Sequence, residues 1–135
     1  MTRMDHVGLN VRDLAAMTDF YVRGFGYELQ LRFTLPELDL SIAMLVDADG
    51  RRFELLARTA GSPGLRAATP VEAAATWGFG HVAFVVDDLT ATVDQLVVLG
   101  ATPVFDPRPS PQEGFWFAWV HDPEGNLVEL IGDAP

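Results

Sequence analysis

The 135-residue chain has no cysteine, which removes disulfides, thiolate nucleophiles and sulfur-ligated metals together. Lysine is absent as well. All nine basic residues are arginine, so neither a Schiff-base lysine nor a lysine general base is available. No apolar run approaches the roughly 18 residues that cross a bilayer, and the opening MTRMDHVGLN lacks the apolar centre of a signal peptide. A cytoplasmic protein is the expectation. Positive charge is scarce overall: the formal net charge of −10 repels phosphate backbones and anionic lipid, so nucleic acid and membrane are not expected partners. Carboxylate, imidazole, hydroxyl, arginine and any bound metal remain for chemistry. Length and a hydrophobic fraction of 49% suit one compact domain with a sizeable core.

The chain repeats itself. HVGLNVRDL from His6 to Leu14 is matched by HVAFVVDDL from His81 to Leu89, an offset of 75 residues that also relates Glu54 to Glu129 and Asp13 to Asp88. Each half shows the same order of signals. In the first, a strand over Met4–Val11 leads to Asp13 as helix N-cap and to a helix with Leu14, Met17, Phe20 and Tyr21 on one face, ended by Gly24 and Gly26. Strands at Tyr27–Thr34, Ser41–Asp47 and Arg51–Arg58 follow, the last two joined by the turn DADG. In the second half, Gly80–Asp87 is the strand, Asp88 the cap, and Leu89, Val93, Leu96 and Val97 the buried stripe, with strands at Thr102–Phe105, Gly114–His121 and Asn126–Ile131. The reading is α+β: two tandem βαβββ modules at 1–58 and 79–135 of a single domain. Residues 59–78, rich in Gly, Pro and Ala, form a linker with one short helix near Val71–Thr76.

Four polar residues stand in otherwise apolar strands. Alternation puts His6 on one side of its strand with Gly8 and Asn10, and Val7, Leu9 and Val11 on the other, where the helix packs. His81 behaves likewise, and Glu54 and Glu129 can share the histidine side, the concave side of a curved sheet. A lone strand histidine is more often a core or edge residue than a ligand, and burying an unpaired carboxylate is costly. Two imidazoles and two carboxylates recurring at one offset point instead to a divalent cation that compensates both charges. His121 has no such counterpart and reads as a surface turn residue. In FWFAW, Phe115, Phe117 and Trp119 go to one face and Trp116 to the other; one face is core and the second can line a pocket.

The segments DHVGLNVRDL, RFELLAR, GHVAFVVDDL and DPEGNLVEL resemble the vicinal oxygen chelate superfamily of glyoxalases, bleomycin-resistance proteins and extradiol dioxygenases, over essentially the whole chain. The resemblance implies paired modules forming an open, curved mixed-sheet barrel with helices outside, around one divalent metal held by His6, Glu54, His81 and Glu129. Zinc, nickel, cobalt, manganese and iron all suit such a set. Glu54 argues against the fosfomycin-resistance branch, whose first module has no carboxylate there. A fourth ligand also crowds the two-His, one-carboxylate site of an extradiol dioxygenase. The quartet is similar to those of glyoxalase I and of the family's epimerases, the longer linker favouring the latter.

The implied activity is metal-dependent isomerisation, epimerisation or glyoxalase-type lysis of a small carbonyl or hydroxycarbonyl substrate through an enolate or enediolate. Glu54 and Glu129 are the candidate bases, Glu129 favoured by analogy, and Asn10, Trp116, Phe117 and Trp119 the candidate pocket residues. A homodimer is implied too. The alternatives are a non-catalytic antibiotic- or metabolite-binding protein and an extradiol-type dioxygenase.

Overall fold

The computed structural model describes all residues from 1 to 135. Its strands pair as two separate four-stranded mixed sheets and are not closed into a barrel. The first half runs β1 (His6–Val11), α1 (Leu14–Phe25), β2 (Glu28–Leu35), β3 (Leu40–Val46) and β4 (Arg52–Ala57), with strand order β1-β4-β3-β2. After a four-residue helix α2 (Pro70–Ala73), the second half runs β5 (His81–Val85), α3 (Leu89–Val98), β6 (Thr102–Pro109), β7 (Trp116–His121) and β8 (Leu127–Gly132), in the equivalent order β5-β8-β7-β6. In each, the first strand pairs parallel with the last and the remaining ladders are antiparallel. The chain divides into two compact units, 1–62 and 63–135.

Local chemistry explains the elements. Asp13 and Asp88 cap their helices, each side chain accepting from the backbone N–H three residues on at 2.9 Å, contacts that typically stabilise a helix by about 1 kcal/mol. Gly26, at φ 70°, closes α1 in the left-handed conformation that costs glycine least. Gly24 lies inside the last turn rather than ending the helix. Asp39, at φ 49°, begins the return into β3, and its carboxylate accepts from the Thr59 hydroxyl and from the N–H groups of Thr59 and Ala60. Those bonds hold the Asp39 carboxyl below its usual range and fasten the exit of β4.

Each unit has its own core. Leu14, Met17, Phe20 and Tyr21 of α1 are all buried, and Tyr21 meets Phe53 edge-on at 4.9 Å between ring centroids. In the second unit Leu89, Val93 and Leu96 face inward with Val120, Val128 and Leu130. Val97, expected in that stripe, is 41% exposed. Leu96 takes the inward position in the last turn, and its neighbour is rotated about 100° away. Strand β6 runs four residues beyond the expected end, through Pro107 and Pro109, because it is an edge strand in which a missing N–H breaks no ladder bond on the outer side.

The presumed linker is only partly a connection. From Pro63 it belongs to the second unit, where Ala67 and Ala73 pack with Trp119 and Leu127. His121 is correspondingly no surface turn residue: it is half-buried at the end of β7, its Nε2 bonding the Ala67 carbonyl at 2.8 Å.

Leu55 and Leu130 are related by the repeat offset and are both fully buried. Truncating either to alanine is expected to destabilise the protein by about 2–5 kcal/mol. Val98→Ala, at an exposed site, should change stability by less than about 0.5 kcal/mol. Urea unfolding measures both.

Candidate metal centre

The parallel ladder between β1 and β4 sets Gly8 opposite Glu54, so His6, two residues earlier, lies diagonally along the same face. From there His6 Nε2 stands 3.4 Å from Glu54 Oε2. The ladder between β5 and β8 sets Ala83 opposite Glu129, and His81 Nε2 stands 3.4 Å from Glu129 Oε2. The two glutamate side chains are 19% and 20% exposed, so two halves of different sequence reach the same pairing at the same depth. Small residues at the crossing make room: a Cβ on Gly8 would already lie 3.6 Å from Glu54 Oε2. On the other side of each glutamate the antiparallel neighbour is large and buried, Met44 beside Glu54 and Trp119 beside Glu129.

The second pair has an aromatic wall. Trp119 meets the His81 ring edge-on, centroids 4.7 Å apart, and Phe117 packs against the cluster that contains Trp119. The ladder puts Trp116 on the face of Ala118 and Val120, so the structure does not bring it to the pair. Asn10 is exposed, two residues past Gly8 on the His6 side of β1.

The first pair has a polar brace that the sequence reading missed. Asp5 Oδ1 accepts from His6 Nδ1 at 2.7 Å, and Arg52 Nη2 contacts Asp5 Oδ2. The His6 hydrogen bond, and then the Arg52 one, keep the Asp5 carboxyl below its usual value. The register His6↔Arg52 was the available signal, because it brings the residue before the histidine close to the second residue before Glu54.

The structure thus assembles the four residues two by two; no group of three or more His, Asp or Glu side chains forms a ligand cluster. Each pair suits a divalent ion. Two donors at right angles, each about 2.0–2.2 Å from a common ion, lie about 3 Å apart. The 3.4 Å separation is close to that and longer than a well-formed hydrogen bond. Imidazole and carboxylate are borderline and hard donors suited to first-row divalent ions. Two open surface depressions lie elsewhere. One of about 470 Å³ is bounded by Pro36, Glu37, Asp39 and Arg58, and one of about 390 Å³ by Arg66, His121 and Asp122; neither includes a member of the pairs.

Residues 3–130 match the family model described as the Glyoxalase/Bleomycin resistance protein/Dioxygenase superfamily. The chain belongs to that superfamily. Among its relatives, a probable lactoylglutathione lyase of Vibrio cholerae is 27% identical over 96% of this chain and 89% of its own. The lactoylglutathione lyase of Haemophilus influenzae is also 27% identical, over 93% and 89%. A glyoxalase family protein from Bacillus cereus superposes with a TM-score of 0.80 at 24% identity, covering 100% of this chain and 96% of that one, which bears on the fold alone. Glyoxalase I from Zea mays gives a TM-score of 0.75 at 25% identity, over 98% of this chain and 45% of the maize chain. The superfamily fold is what both halves display. No helix is long and apolar enough to cross a membrane.

Proposed function

We propose that the protein is a divalent-metal-dependent enzyme that shifts a proton next to a carbonyl group, a glyoxalase-type lyase or the closely related isomerase or epimerase. The observation that carries the reading is the duplicated pairing of imidazole and carboxylate, 3.4 Å apart in each half. Two donors alone make a weak site, and catalytic metals usually have three or more protein ligands. The reading therefore assigns all four side chains, His6, Glu54, His81 and Glu129, to one ion. Superfamily membership and the lactoylglutathione lyases among the relatives support it.

When bound, the ion supplies Lewis acidity, polarising neighbouring substrate oxygens and offsetting the negative charge that develops as a proton leaves the adjacent carbon. The chain's own residues do the rest. With no lysine or cysteine, a carboxylate is the available base, and Glu54 and Glu129 are already placed beside the imidazoles. One accepts the proton; return of a proton to the neighbouring carbon isomerises the substrate, and delivery by the other glutamate to the opposite face epimerises it. Trp119 and Phe117 supply an apolar wall beside the second pair, which limits water near the transferred proton. A small carbonyl or hydroxycarbonyl substrate, a homodimeric assembly and a cytoplasmic setting belong to the same proposal.

The test is solvent exchange. In deuterated water, the metal-loaded protein should wash deuterium into the carbon next to the carbonyl of a responsive α-hydroxycarbonyl compound or glutathione hemithioacetal. Chelator should stop the exchange and added metal restore it. Exchange indifferent to chelator, or neither exchange nor turnover across a panel of such compounds, would overturn the reading.

A further inference from the structure

The two halves match at His, Glu and their separation, and differ in what surrounds each histidine. Asp5 precedes His6, with its carboxylate shared between the ring Nδ1 and Arg52. The residues at the same offset are Gly80 and Leu127, neither of which has a charge or a side-chain hydrogen bond to offer. Leu127 also occupies the ladder position of Arg52, directly across from the histidine. The second half therefore braces its histidine with the Trp119 ring, and the first with a carboxylate and an arginine.

We propose that Asp5, held by Arg52, is a positioning residue that fixes His6 as the Nδ1–H tautomer and so presents Nε2, lone pair outward, on the side of Glu54. An ionised carboxylate can only accept, so the proton in the 2.7 Å contact belongs to the imidazole. A neutral ring with Nδ1 protonated has a bare Nε2. That nitrogen then faces the Glu54 carboxylate at 3.4 Å, acceptor against acceptor, an arrangement stabilised by a cation that takes both. Arg52 keeps the Asp5 side chain, exposed to water, from rotating away. The consequence is a difference in grip: the first pair is set before the ion arrives, and the second is held by packing alone. The role of Asp5 toward the ion rests on the metal reading proposed above; its effect on the tautomer does not.

The experiment uses the intact protein and Asp5→Ala, a change at an exposed site that leaves both cores untouched. Long-range ¹H–¹⁵N spectra of the metal-free proteins, recorded where the ring spectra show neutral imidazole, read the His6 tautomer. Competition against a chromophoric chelator reads zinc affinity. Wild type should show the Nδ1–H form at His6. Asp5→Ala should shift that ring toward the Nε2–H form, leave His81 unchanged and lower zinc affinity by about 10- to 100-fold, the usual loss when a ligand's hydrogen-bonding partner is removed. Arg52→Leu, which copies the second half, should shift both readouts in the same direction by less. If the tautomer shifts in Asp5→Ala and neither protein binds zinc, the positioning is upheld and the metal reading fails. An unchanged His6 tautomer, or equal zinc affinities in two proteins that both bind, would overturn the inference.

Discussion

His81→Ala is expected to abolish stoichiometric binding of a divalent ion, and His6→Ala to do the same. Each substitution leaves three of the four proposed donors and breaks one of the two pairs at its nitrogen, so affinity should fall by at least about 100-fold and the ion should be lost on gel filtration. Neither histidine is buried in a core, with side chains 36% and 43% exposed, so the variants should fold with near-native unfolding midpoints. Elemental analysis of the purified proteins is the check. Unchanged metal content in His81→Ala removes the second pair from the site.

The glutamates separate ligand from base. Glu→Gln keeps an oxygen that can coordinate and removes the ability to accept a proton. At a position that serves only as ligand, the Gln variant should bind metal more weakly and recover most of its turnover when metal is raised. At the base, turnover and deuterium exchange should stay down by about 10²–10⁴-fold at saturating metal. Glu129 is the expected base. Its half of the chain has no counterpart to the Asp5–Arg52 brace, which leaves the His81–Glu129 pair freer to exchange a ligand for a proton. If fully metallated Glu54→Gln and Glu129→Gln both exchange the substrate proton at the wild-type rate, carboxylate-mediated transfer is wrong.

The repeat was legible because the residue types that physics needs recur at equivalent places: Asp at both N-caps, apolar residues on one helix face, and His and Glu on neighbouring strands in register. Features that break the symmetry were not. The strand expected to end at Phe105 continues through Pro107 and Pro109, which only the edge position of β6 in its sheet makes tolerable. His121 looked like a turn residue beside Asp122-Pro123, because its partner, the Ala67 carbonyl, lies 54 residues away in a segment read as a linker. Trp116 and Trp119 were equal prospects for the site. The β7–β8 register separates them, setting Trp119 beside Glu129 and Trp116 beside Gly132. Neither Asp5 nor Arg52 recurs in the second half, so the repeat that marks the other polar residues does not mark these two.

The most direct measurement of the central claim is metal stoichiometry by equilibrium dialysis and elemental analysis on the intact protein, alongside the double variant Glu54→Gln, Glu129→Gln. One ion per chain, with affinity greatly reduced in the double variant, is the predicted result. Two ions per chain would mean that each His–Glu pair binds on its own. No stoichiometric ion with any of zinc, nickel, cobalt, manganese or iron would contradict the account outright.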